Sequence, residues 1–260
     1  MLKRILTALW GVPLILWIVH LGDQVFFILI EAIACFGLFE FYNLLEKRGY
    51  RPLNLEGIAL GFLYLVALYL EGAWAYKFLL PILILTIFIY ELVNKKRSIV
   101  DISLTFLGFF YIPFLIGYIL LIRKLQFGEI FTYYVLILTW ISDSCAFFIG
   151  KLLGKHKLAP SISPNKTVEG TLAAVFSALI FSLILGNIYH QRHIVSIILG
   201  LSLGIIGQLG DLVESMLKRE IGVKDSSSLL PGHGGILDRF DSLLFMVPTA
   251  YYLLSMFQII

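Results

Sequence analysis

Apolar residues run along this chain in long stretches separated by short polar segments. Nine stretches stand out, covering about residues 5–21, 25–44, 58–70, 76–93, 102–122, 131–150, 171–185, 194–213 and 241–257. About 20 apolar residues cross the hydrocarbon core as a helix. Backbone in lipid must satisfy its hydrogen bonds within its own segment, so such runs are helical. The pattern predicts an all-α fold, a polytopic transmembrane helical bundle of about nine spans. The third run is short, and eight or ten spans would also fit. Residues 1–130 are expected to supply N-terminal transmembrane helices. Residues 131–260 are expected to form a C-terminal transmembrane region that carries the chemistry, within one integral membrane unit.

Composition agrees with the pattern. Of 260 residues, 59% are hydrophobic and 14% charged, with a mean hydropathy of +0.92. Soluble domains are about 45–50% apolar and about 25% charged. The distribution of the 20 Lys and Arg residues orients the spans. Counting alternate loops from the N-terminus, 16 fall on one side: the N-terminus and the loops around Arg48, Lys95, Lys155 and Lys218. Only Lys77, Arg123, Lys124 and Arg192 fall on the other. Cytoplasmic loops carry the Lys/Arg excess, which predicts a cytoplasmic N-terminus. Lys3-Arg4 and the apolar run after them resemble a signal peptide, but no small-x-small cleavage site follows. They read as an uncleaved first span. Cys35 and Cys145 both lie in apolar runs, which argues against a disulfide framework or a zinc site.

The polar residues concentrate in two stretches, 151–170 and 214–239, both placed on the cytoplasmic side. On a helix leaving the eighth span, Asp211, Ser215 and Lys218 share one face, with Glu214 beside them. Lys218 and Arg219 alone would suit an ordinary solvated helix end. Asp211 is different, because it closes a long apolar run, and ionisable groups at membrane depth default to function.

Lys224-Asp225 and a Ser-rich turn come next, then a segment from Pro231 to Asp241 that includes His233, Gly234, Gly235, Asp238 and Arg239. Glycines let backbone approach a ligand closely. Asp238 or Asp241 would cap the last helix, and a helix N-terminus beside Arg239 suits phosphate. Any of these residues in isolation makes an ordinary turn, cap or loop histidine. Several carboxylates, several cations and a glycine loop within about 30 residues form the inventory of polyphosphate chemistry, in which carboxylates hold Mg²⁺ and Lys or Arg offset phosphate charge. Asp143 lies in mid-span, and Ser163-Pro164-Asn165-Lys166-Thr167 follows in the next loop, where it reads as a turn and helix cap. The chain contains no Walker A loop and no dinucleotide fingerprint.

These residues resemble the phosphatidate cytidylyltransferase (CDP-diacylglycerol synthase) family. The family signature runs Ser-x-hydrophobic-Lys-Arg, four residues, Lys-Asp, a short spacer, then Pro-x-His-Gly-Gly-hydrophobic-x-Asp-Arg-hydrophobic-Asp. Here it reads Ser215-Met216-Leu217-Lys218-Arg219, Lys224-Asp225 and Pro231 through Asp241 without a gap. The likeness extends upstream to about Trp140. Two departures are Phe147, where the family has Tyr, and Asn165, where it has Lys.

The resemblance implies transfer of a cytidylyl group from CTP to phosphatidate, giving CDP-diacylglycerol and pyrophosphate in phospholipid biosynthesis. It implies Mg²⁺, with room for a second metal ion, held by Asp211 and Asp238. Lys218, Arg219, Lys224 and Arg239 would meet phosphates, and Asp225 would assist catalysis. Asp143, Lys166, Ser215, His233, Gly234 and Gly235 would contact substrate. The implied partners are CTP, phosphatidate and membrane lipid, with no nucleic acid; a homodimer is left open. The implied location is a bacterial inner membrane, with the site facing the cytoplasm. Two other readings are a CTP-dependent transferase for another lipid phosphate and, in a different class, an ion-coupled transporter. The transporter would need no dense polar signature on one face.

Overall fold

The computed structural model describes residues 2–72, 74–94, 98–189, 191–223, 226–227 and 234–258. A helix stands at each of the nine expected runs: α1 (Leu2–Leu21), α2 (Asp23–Lys47), α3 (Asn54–Glu71), α4 (Trp74–Asn94), a fifth run in three parts, α7 (Gly128–Leu153), α8 (Val168–Ile188), α9 (His193–Ile221) and α10 (Leu237–Gln258). The fifth run is α5 (Ile99–Phe109), a π-helical turn at Phe110–Phe114, and α6 (Tyr118–Arg123). Pro113 lies in that turn and cannot donate the backbone hydrogen bond an α-helix requires. Among the described residues, seven helices are long and apolar enough to cross a membrane. α1 and α4 also carry apolar pieces, Trp10–Leu21 and Leu80–Val93. The fold is therefore an all-α, largely membrane-spanning bundle, with seven candidate spans among the described residues.

The chain forms two compact units. The first comprises Met1–Lys124 and Asp225–Arg239; the second comprises Leu125–Lys224 and Phe240–Ile260. In the first, α2 and α3 form the centre, with α5 and its π turn packed on both. Tyr42 is fully buried there and donates to Thr105 O at 2.9 Å. Gly108 leaves room for it, since a β-carbon at that position would stand 2.6 Å from the ring. Ser98 and Asp101 form a capping box that starts α5.

In the second unit α8 packs between α7 and α9. Lipid supplies no hydrophobic drive for such packing, so small residues that allow close approach take its place. A β-carbon at Gly204 would stand 2.8 Å from Val175 Cα. Between α7 and α8 the expected simple turn is instead a short antiparallel hairpin, β1 (Lys157–Ala159) with β2 (Ser163–Thr167). The capping half of that expectation holds as well: Thr167 accepts from Gly170 N at 3.2 Å at the start of α8.

Candidate active site

The unbroken course of α9 determines how its polar residues meet. Ser215 Oγ lies 3.4 Å from Asp211 Oδ1, one turn along the same face. Lys218 pairs with Glu214 at 2.6 Å, and Glu214 is buried. The hairpin brings Lys166 to this helix. Its Nζ stands 2.8 Å from Asp211 Oδ2 and donates to Gln208 O at 3.3 Å.

Several contacts hold the hairpin in place. Glu169, in the first turn of α8, accepts from Lys155 N and His156 N and meets His156 Nδ1 at 2.6 Å. Arg219 Nε donates to Ile162 O at 3.2 Å, which ties the hairpin turn to the end of α9. Arg219 also donates to Val223 O.

Asp143 and Asp241 lie near the same pair. Ser242 Oγ donates to Asp143 Oδ1 at 3.2 Å. Asp143, Asp211 and Asp241 are close enough to repel one another, and Lys166 draws on Asp143. Asp241, expected to open the last helix, is instead a full turn inside α10. A cavity of about 620 Å³ opens here, lined by Asp143, Lys151, Lys157, Lys166 and Asp211 among others. Three ammonium groups and two carboxylates thus line one hollow. Gly154 and Gly170 permit α7 and α8 to close on it; a β-carbon at Gly170 would stand 2.7 Å from Ala146 O. Of the expected site residues, Asp143, Lys166 and Asp211 are gathered at this cavity. Lys151, Lys157 and Ser242 were not among those expected.

The signature loop is partly described, and it belongs to the first unit. Lys224, Asp225 and His233 lie outside the described residues. Gly234 adopts a φ of +81°, a left-handed conformation that favours glycine. Asp238 Oδ2 accepts from Gly235 N at 2.7 Å and from Ser226 N and Oγ at 3.0 Å. Asp238 therefore binds the loop together from the second position of α10, and Arg239 follows it in the first turn.

A residue that sequence reasoning passed over organises this loop. Glu40, on α2, is buried. Its Oε1 accepts from Ser227 Oγ at 2.6 Å and Ile236 N at 2.9 Å. Its Oε2 accepts from Ser226 Oγ at 3.1 Å and Leu237 N at 2.9 Å. The available signal was a carboxylate in mid-run between Phe39 and Phe41.

Oxygen donors of this kind suit a hard cation such as Mg²⁺, and the Lys166 ammonium beside Asp211 shows that a positive charge is accommodated there. Among the described residues, no group of three or more His, Cys, Asp or Glu side chains is arranged to hold an ion alone.

Comparison with known proteins places these features in a family. A family model described as the cytidylyltransferase family matches residues 2–257. The phosphatidate cytidylyltransferase of Bacillus subtilis (strain 168) is 38% identical over 270 residues, covering 99% of each chain. That of Staphylococcus aureus (strain COL) is 37% identical over 259 residues, covering 96% of this chain and 98% of the relative. That of Staphylococcus saprophyticus is 36% identical over 260 residues, with the same coverage.

Proposed function

The chain belongs to the cytidylyltransferase family, and from that membership we infer that it transfers the cytidylyl group of CTP to phosphatidate, forming CDP-diacylglycerol and pyrophosphate. The structural observation that supports this reading is the cavity of the second unit. Its ammonium groups can offset the charge of two polyanions, and its carboxylates can hold a divalent cation that offsets more of it, in a membrane-embedded helical unit.

A phosphatidate phosphate oxygen attacks the α-phosphorus of CTP. The bond from that phosphorus to the bridging oxygen breaks, and pyrophosphate leaves with the electron pair. The attacking oxygen is already anionic, so no protein nucleophile is needed. The work of the protein is to hold the reactants in line and to neutralise charge. Lys166 is assigned to a phosphate, and Lys151 and Lys157 add positive potential around the same hollow. Ser242 holds the Asp143 carboxylate in place. Asp211 and Asp238 are assigned to Mg²⁺, and a second ion is included in the proposal. When bound, Mg²⁺ supplies Lewis-acid polarisation of phosphate oxygens. Lys218, Arg219, Lys224 and Arg239 are assigned to the phosphates, Asp225 to catalysis, and Ser215, His233, Gly234 and Gly235 to substrate contact.

The proposal includes nine spans with a cytoplasmic N-terminus and a site on the cytoplasmic side. The distribution of Lys and Arg supports this orientation. CTP is confined to water, while extracting phosphatidate would cost about 0.8 kcal/mol per CH₂. The reacting phosphates therefore meet at headgroup depth. Purified protein given labelled CTP and a panel of lipid phosphates, with and without Mg²⁺, tests the reading. Phosphatidate should be the preferred acceptor, and turnover should require the metal. Preference for an isoprenoid or ether-linked phosphate would assign the chain another acceptor.

A further inference from the structure

We propose that Glu40 is a positioning residue for the transfer reaction, holding in place the backbone that carries Gly234, Gly235, Asp238 and Arg239. The proposal rests on the functional reading above, in which those four residues belong to the site. A buried carboxylate is costly unless its oxygens are satisfied. Here both oxygens are, and the four groups that donate to them lie between residues 226 and 237. Ser226 and Ser227 stand on one side of the residues between 227 and 236, and Ile236 and Leu237 stand on the other. Glu40 thus staples both ends of the glycine loop.

Two of the staple's bonds go to N–H groups at the start of α10, which have no partner within that helix. Glu40 therefore caps α10 from a position 197 residues earlier in the chain. The contact reaches Asp238 through Ser226, whose single hydroxyl proton is shared between Glu40 Oε2 at 3.1 Å and Asp238 Oδ2 at 3.0 Å. It also accounts for Gly235, where a β-carbon would stand 2.8 Å from Glu40 Cδ.

Glu40→Gln and Glu40→Asp test the proposal. Glutamine accepts at one oxygen only and turns its amide hydrogens toward groups that are themselves donors. In metal-free, substrate-free protein, amides at 234–240 should exchange about tenfold faster in Glu40→Gln, with other segments unchanged. Per folded molecule, kcat should fall about tenfold or more. The KM for CTP or the Mg²⁺ concentration for half-maximal turnover should rise severalfold. Glu40→Asp, which keeps the charge, should recover part of each effect. If Glu40→Gln fails to insert, Ser227→Ala removes one of the four bonds to Glu40 and should shift the same readings less, in the same direction.

Exchange that rises throughout the protein, with kcat lost only in proportion to folded protein and with KM and Mg²⁺ requirement unchanged, would reduce Glu40 to a stability role. Wild-type exchange and kinetics in Glu40→Gln would leave it no role at all. A wild-type chain that makes no CDP-diacylglycerol would overturn the functional reading instead, while the exchange arm would still report on the staple.

Discussion

Gly210→Ala should slow catalysis while leaving the protein inserted and folded. Gly210 precedes Asp211 on α9 and faces α10. A β-carbon there would stand 2.7 Å from Asp241 O, 3.1 Å from Phe245 Cδ2 and 3.2 Å from Ser242 Cα. The nearest obstacle is backbone, so no rotamer change relieves the clash. Ordinary contact begins at 3.4 Å, so the two helices must separate by about 0.7 Å at the level of Asp211. Overpacking of this kind costs about 1–3 kcal/mol. Alanine's better helix propensity returns about 1 kcal/mol of that. The net loss of at most about 2 kcal/mol should leave a folded protein with a modestly lower Tm. Misplacement by about 1 Å can cost about 100-fold in rate, so a shift of this size should cost about 10- to 100-fold in kcat. Pyrophosphate release at saturating CTP and Mg²⁺, from phosphatidate in mixed micelles, measures the effect. Gly11→Ala, with nothing within 4 Å of the added carbon, is the control and should match wild type. Wild-type turnover by an inserted Gly210→Ala would show that the distance from Asp211 to α10 does not set the rate.

Asp211→Asn keeps the size of the residue but removes its charge, and should lower turnover at least about 100-fold; near-normal activity at saturating Mg²⁺ would remove Asp211 from the site. Chelation with EDTA should abolish turnover reversibly without unfolding the protein, and undiminished turnover in EDTA would exclude a metal requirement. Glu214→Ala removes the carboxylate paired with the Lys218 ammonium, which is only 12% exposed and also draws on Asp241, and should cost up to about 3–5 kcal/mol in thermal or denaturant stability; an unchanged Tm would show that the pair adds no net stability. In a cysteine-free background, Arg48→Cys should label from the cytoplasmic side and Gln126→Cys from the opposite side, and the reverse pattern would invert the proposed orientation.

The helices were legible because each apolar run meets one physical requirement, that lipid-exposed backbone be paired within its own segment. The position of Asp211 on α9 was legible for a related reason. Helical spacing brings Ser215 onto its face, and no Pro or αL residue interrupts α9 before Gly222. The Lys218–Glu214 pair follows from the same spacing, one turn apart. The hairpin carrying Lys166 was not legible. Ser163 to Thr167 shows no alternation of apolar and polar residues, and its pairing depends on Glu169 and Arg219 contacts made from neighbouring helices. The role of Glu40 was hidden by distance, since no local rule links a carboxylate on α2 to amides 196 and 197 residues later.

The notches in α9 act as a depth gauge for the site. A β-carbon at Gly200 would stand 2.7 Å from Leu179 Cα, and one at Gly204 would stand 2.8 Å from Val175 Cα, so α8 is seated on α9 at two points one turn apart. Lys166 lies two residues before α8 begins, and Asp211 lies seven residues beyond the second notch. Sliding α8 to the next turn of α9 would move Lys166 by about 5.4 Å, nearly twice the 2.8 Å that separates its ammonium from Asp211. The absence of side chains at Gly200 and Gly204, deep among the apolar residues, thus sets the point along α9 at which two charges meet.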